Sequence, residues 1–186
     1  MNLVGTILVG PNEPTLEIAL QSFKMCTVDA THALIDNERI DQSSLDLLKK
    51  YNCTVFNKKW EWNWGMSRTY LSSTIPQGTK YEIFLDADDE VPETSAKIIR
   101  DIVSTNNIGF IKCPYIVGKN VDVLSIERIR MFPPPVVWRG HCHEVPYFKK
   151  DIPIYTFSDI LIYHHFRGND PDREDHYIEG LIKDNY

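Results

Sequence analysis

Residues 81–90 read Tyr-Glu-Ile-Phe-Leu-Asp-Ala-Asp-Asp-Glu. The segment Tyr81 to Leu85 has the content of a buried strand, and it runs without a spacer into Asp86, Asp88 and Asp89, three acids in four residues. Side chains two apart on an extended chain point to one side. Asp86 and Asp88 can therefore address one hard cation and leave positions open for phosphate oxygens. Mutual repulsion disfavours such a cluster unless a cation or hydrogen-bond donors offset it. Asp89 and Glu90 are read as helix-capping, solvated acids, followed by Pro92 and Glu93 in the first turn of a helix.

Working outward, residues 3 to 9 are β-branched and apolar and stop at Gly10-Pro11-Asn12-Glu13-Pro14, before Leu16, Ala19, Leu20 and Phe23 at helical spacing. Ala33-Leu34-Ile35 predicts a second strand ending at Asp36, and Asp41 predicts the cap of a helix carrying Leu45 and Leu48. Cys53 to Phe56 predicts a third strand. It is followed by Trp60, Trp62 and Trp64, two of them expected in the core, and by a helix from near Gly65. Alternating strands and helices predict an α/β fold with a mostly parallel sheet covered on both faces. In such sheets ligands gather outside the carboxyl ends of the strands, where Asp86 and Asp88 sit.

Beyond residue 108 the texture turns strand-like, at 108–117, 121–132, 136–138 and 152–163, before a final helix carrying Tyr177, Ile178, Leu181 and Ile182. The expected organisation is one domain over 1–186. Residues 1–107 are its expected nucleotide-binding α/β half and 108–186 a smaller mixed half that closes the site.

Composition excludes more than it names. A chain of 186 residues with 42% hydrophobic and 25% charged residues is long enough to bury a core without staples. A net charge of -6 argues against a general nucleic-acid binder. The cysteines Cys26, Cys53, Cys113 and Cys142 show no metal-knuckle or disulfide spacing, which points to reduced thiols and a cytoplasmic setting. No apolar run reaches the roughly 20 residues of a membrane-spanning helix.

Three blocks carry a resemblance. Phe84-Leu85-Asp86-Ala87-Asp88-Asp89-Glu90 is preceded by Ser67-Arg68-Thr69. Arg130-Met131-Phe132 precedes Trp138-Arg139-Gly140-His141-Cys142-His143-Glu144. Last comes Ile160-Leu161-Ile162-Tyr163-His164-His165-Phe166. In that order they resemble the GT-A fold glycosyltransferases, family 2 in particular, with its D-x-D motif. Thr69 stands where that family commonly has Asn, and Phe166 where Gly is frequent.

The resemblance implies a Rossmann-like GT-A fold with a mixed, mostly parallel central sheet flanked by helices and a smaller C-terminal acceptor-side sheet. It implies a metal-dependent hexosyltransferase-type enzyme that moves a sugar, with inversion, from a nucleotide sugar, a UDP-sugar first among them, to a carbohydrate or other hydroxyl acceptor. The donor would be held by Gly10, Pro11, Asn12, Asp36, Asp86, Ala87 and Asp88, and Arg68 and Arg130 are candidates for its diphosphate or for the acceptor. Asp88, Asp86 and His164 would bind Mn2+ or Mg2+, with His165 as the alternative to His164. Glu144 occupies the place of the catalytic carboxylate. Two other readings stay open: a nucleotidyltransferase-like sugar-phosphate enzyme, for which the Gly-rich phosphate loop is missing, and a non-catalytic carbohydrate- or nucleotide-sugar-binding domain. The chain can also be part of a longer, multidomain protein.

Overall fold

The computed structural model describes residues 1–105, 108–117, 124–141, 144–147 and 152–165. The expected α/β alternation is present. The strands β1 (Leu3–Leu8), β2 (Ala30–Ile35), β3 (Thr54–Asn57) and β4 (Tyr81–Asp86) alternate with the helices α1 (Leu16–Met25), α2 (Gln42–Lys50) and α3 (Trp64–Ser73). After β4 come a two-residue strand β5 (Asp89–Glu90) and α4 (Glu93–Ser104). The second half supplies β6 (Phe110–Val117), β7 (Leu124–Phe132), β8 (Trp138–Arg139), β9 (Val145–Pro146), β10 (Ile154–Thr156) and β11 (Ile162–His164). The expected helix around residues 177–182 lies outside the described residues.

The main sheet runs β3-β2-β1-β4-β7-β6-β11-β5, with β10 also on β6, and β8 and β9 form a separate pair. The first four strands are parallel, β7 is antiparallel to both β4 and β6, and β11 lies parallel to β6. One face of the sheet, with Leu3, Ile7, Ile83, Leu85 and Met131, packs on Leu16, Leu20 and Phe23 of α1 and on Ala96 and Ile99 of α4. The other face gathers Phe84, Phe110 and Phe132 with Val136 and Trp138.

The strand expected over 152–163 is two short ones. Phe110 donates to Pro153 and Phe157 donates to Lys112 across one edge of β6, so even-numbered residues of β6 face that edge. By the same alternation Pro114 faces it too, and proline has no N–H to give. The chain leaves the ladder there and re-pairs as β11, with Ile162 opposite Tyr115. The segment expected at 136–138 becomes strand only at Trp138 and Arg139, because residues from Val136 on are tied mainly to α3. Val136 N–H donates to Ser72 Oγ (2.9 Å), Trp138 N–H to Thr69 Oγ1 (2.8 Å) and Trp64 N–H to the His141 carbonyl (3.0 Å). Thr69 thus fastens the segment after β7 to α3.

Beneath α3, Glu82 is buried, accepting from Thr6 Oγ1 (2.7 Å) and Ser72 Oγ (2.5 Å). Burial pushes its carboxyl up from 4.5 to about 7, against those two hydrogen bonds. A folded-state value above the unfolded one means the native state holds the extra proton. The associated stability is complete below about 4.5 and is lost as pH rises through about 7. The gap corresponds to roughly 3 kcal/mol. Glu82→Gln, which stays neutral, is expected to flatten the fall in stability between pH 5 and 8 by about that amount. Urea melts at the two pH values check it, and an unchanged pH slope would remove Glu82 as its source.

Candidate active site

The carboxyl ends of β1, β2 and β4 open onto a cleft that collects Gly10, Pro11, Asp36, Asp86, Ala87 and Asp88. The loop after β1 holds its shape through Asn12, whose backbone is left-handed (φ 55°) and whose N–H donates to Asp41 Oδ2 (2.7 Å). Asp41 also caps α2 through Ser44 N–H (2.9 Å). Thr15 Oγ1 donates to the Ala87 carbonyl (3.1 Å), tying the start of α1 to the D-x-D segment.

Asp36 shapes the opposite wall. It accepts from Trp60 N–H (2.9 Å) and Glu38 N–H (3.0 Å), and the Trp60 donor above all holds its carboxyl below the usual range. The expectation that two of the three tryptophans are core is corrected: Trp60, Trp62 and Trp64 are all half-buried and line the cleft. Their ring centroids lie 5.1 to 6.1 Å apart in edge-on contacts. Trp62 takes φ 54°, and the Arg39 guanidinium sits 4.9 Å from its ring. Large aromatic residues are more often packed under a sheet, but here a loop pinned by Asp36 turns the rings onto one another.

At the tip of β4 the acids divide their duties. Asp86 meets Arg68 Nη2 (3.1 Å) and Arg130 Nη2 (3.2 Å). Burial opposes its ionisation, but the two guanidinium groups outweigh that and keep its carboxyl well below the usual range. Asp88 is 2% exposed. Asp89 corrects the reading of a helix-capping, solvated acid. It is fully buried and accepts from Asp86 N–H (2.9 Å) and Tyr115 Oη (2.7 Å), with Arg130 at 3.4 Å. Glu90 meets His165 Nε2 at 2.7 Å, and the residue preceding α4 is Pro92.

Of the two histidines, β11 brings His164 to the acidic cluster. Its antiparallel pairing with β5 sets His164 opposite Asp89. His164 Nδ1 lies 2.6 Å from Tyr115 Oη, 3.0 Å from Asp89 Oδ1 and 3.4 Å from Asp88 Oδ1. Burial lowers its proton affinity, but the hydrogen bond to Asp89 and the charges of Asp88, Asp89 and Asp86 raise it above the ordinary value. Asp88, Asp89 and His164 offer ligand atoms all within 4.8 Å of one another. Asp86, expected as a ligand, is instead engaged by the arginines, and Asp89, which sequence reasoning passed over, joins the cluster.

Glu144 lies beside the same group. Arg68 Nε donates to Glu144 Oε1 (2.5 Å), while Arg139 stacks on Tyr147. Two guanidinium groups thus meet three carboxylates, Asp86, Asp89 and Glu144, and Asp88 adds a fourth beside His164. The excess of two negative charges, with two carboxylates and an imidazole converging, fits a divalent cation. His141 gives its carbonyl to Trp64, and Cys142 and His143 lie outside the described residues. Among the described residues Cys26, Cys53 and Cys113 are free thiols, and no helix is long and apolar enough to cross a membrane.

No protein-family model matches the chain, and comparison with curated proteins finds no match. Among solved structures it is similar to S. aureus TarS, with TM-score 0.53 and 14% identity over 66% of this chain and 23% of that one. The structure of TarS residues 1–349 aligns with TM-score 0.51 and 16% identity over 66% of this chain and 38% of that one. The chain therefore matches well under half the length of either. At such identities the likeness is one of fold: the chain has the mixed α/β GT-A fold that its three motif blocks imply.

Proposed function

We propose that this chain is the catalytic part of a metal-dependent glycosyltransferase that takes its sugar from a nucleoside-diphosphate sugar, a UDP-sugar first among them. One observation carries the reading: the ends of β4, β5 and β11 bring Asp88, Asp89 and His164 together, and Asp88 among them lines the cleft that also holds Asp36 and the tryptophan cluster.

In this reading the nucleoside lies in the cleft between the Gly10-Pro11-Asn12 loop and Asp36, with Ala87 at its floor. Asp88 and His164 hold the ion, and Asp89 orients His164 through Nδ1, as carboxylates commonly do for metal-binding imidazoles. The imidazole in the set favours Mn2+ over Mg2+. A bound ion would neutralise charge on the departing diphosphate. Arg130 and Asp86 form the rim beside it, and Glu144 takes the proton of the acceptor hydroxyl as its oxygen attacks from the face opposite the leaving group, which inverts the anomeric centre.

Titration calorimetry with UDP tests the donor half. Binding in the presence of Mn2+ is expected to weaken at least 30-fold in chelator, about 2 kcal/mol. Equal affinity in both conditions would count against the metal-dependent reading.

A further inference from the structure

Glu144 sits on an irregular stretch just before β9, and among the described residues its only hydrogen-bonding partner is Arg68. Nε and Nη2 of that arginine both lie 2.5 Å from Glu144 Oε1. No described residue bonds Oε2. Fixing a long glutamate side chain costs rotamer freedom, so what fixes this one matters to any reaction at its carboxylate.

Arg68 is anchored independently of Glu144. It is 6% exposed, its guanidinium stands 3.6 Å from the Phe84 ring centroid and 5.3 Å from that of Trp138, and Nη2 also reaches Asp86. The helix beneath it is pressed onto the β8 segment. A Cβ on Gly65 would come within 2.3 Å of the Gly140 carbonyl oxygen, so only glycine allows that approach. Nη1 is buried and has no hydrogen-bond partner among the described residues. A guanidinium that leaves one nitrogen unsatisfied in the interior is oriented by its remaining contacts, here Glu144, Asp86 and the two aromatic faces.

We infer that Arg68 is a positioning residue for Glu144, holding Oε1 so that Oε2 is the oxygen that receives the acceptor's proton. This rests on the reading of Glu144 as the base. The acceptor O–H proton passes to Oε2, the acceptor oxygen bonds to the anomeric carbon, and the bond from that carbon to the diphosphate oxygen breaks with its electron pair leaving on the nucleoside diphosphate. Arg68 takes no proton. It joins the acceptor side of the site to Asp86, while Arg130 holds Asp86 from the other side.

The test compares the parent chain with Arg68→Met, Arg68→Lys, Glu144→Gln and the Arg68→Met/Glu144→Gln double variant. Release of UDP is followed with Mn2+ and a panel of UDP-sugars, water serving as acceptor, beside calorimetric binding of UDP with Mn2+. Arg68→Met is expected to lower kcat about 100-fold, the scale of an ångström-level misplacement, with KM and the UDP dissociation constant within about threefold of the parent. Arg68→Lys is expected to recover about tenfold of that loss, and the double variant to be no slower than Glu144→Gln. If Arg68→Met does not fold, Arg68→Lys carries the test through the same split between kcat and KM. A loss that falls on UDP binding, or a double variant slowed by the product of the single effects, would overturn the inference and leave Glu144 in place. A parent that releases no UDP, or a Glu144→Gln enzyme at parental rate, would remove the underlying reading and the inference with it.

Discussion

Glu144→Gln is expected to lower the turnover of sugar transfer by about 10³-fold, within the span general bases supply, while UDP binding in Mn2+ stays within a few-fold of the parent. The amide keeps the length and shape of the side chain and an oxygen for Arg68, so the clamp at Oε1 survives. Only the capacity to accept a proton is lost. Steady-state kinetics and calorimetry separate the two quantities. A variant that turns over normally would return Glu144 to the role of a structural partner for a buried arginine.

Asp88→Asn acts on the other side of the reaction. Replacing a carboxylate ligand by an amide is expected to weaken Mn2+-dependent UDP binding by about 100-fold or more, since even residues behind the ligands contribute 10- to 100-fold. Stability of the metal-free protein is expected to hold or rise slightly. The change removes one of four clustered negative charges, and helix α4 keeps its start because its cap position is Pro92. Thermal melts with and without Mn2+ distinguish this from a structural role, which predicts a lower melting temperature in both and no selective loss of UDP binding.

Much of the scaffold was legible along the chain. The first four strands and their helices follow from apolar periodicity and from local stop and start signals such as Gly10-Pro11 and Asp41, whose caps and turns form within a few residues. The two-residue strands β5 and β9 left no such trace, since pairs that short carry no periodicity. Pro114 was visible, but its effect on residues 157–161 depended on which edge of β6 it faced. The tryptophans misled in the same way: alternation predicts a face, but Asp36 and the left-handed turn at Trp62 made their segment a loop against the cleft.

Within the site, sequence alone determined that Asp86 and Asp88 stand at a strand tip and that His164, His165 and Glu144 arrive from later blocks in a definite order. It did so because strand ends, caps and motif spacing are local properties. Only the tertiary structure decided that Asp86 belongs to the arginines, that Asp89 is the buried hub, that His164 and not His165 joins it, and that Arg68 holds Glu144. Those assignments are made by contacts that span from 18 to 76 residues of chain. In a buried cluster of charges, which partner each carboxylate takes is set by the competition among all of them at once.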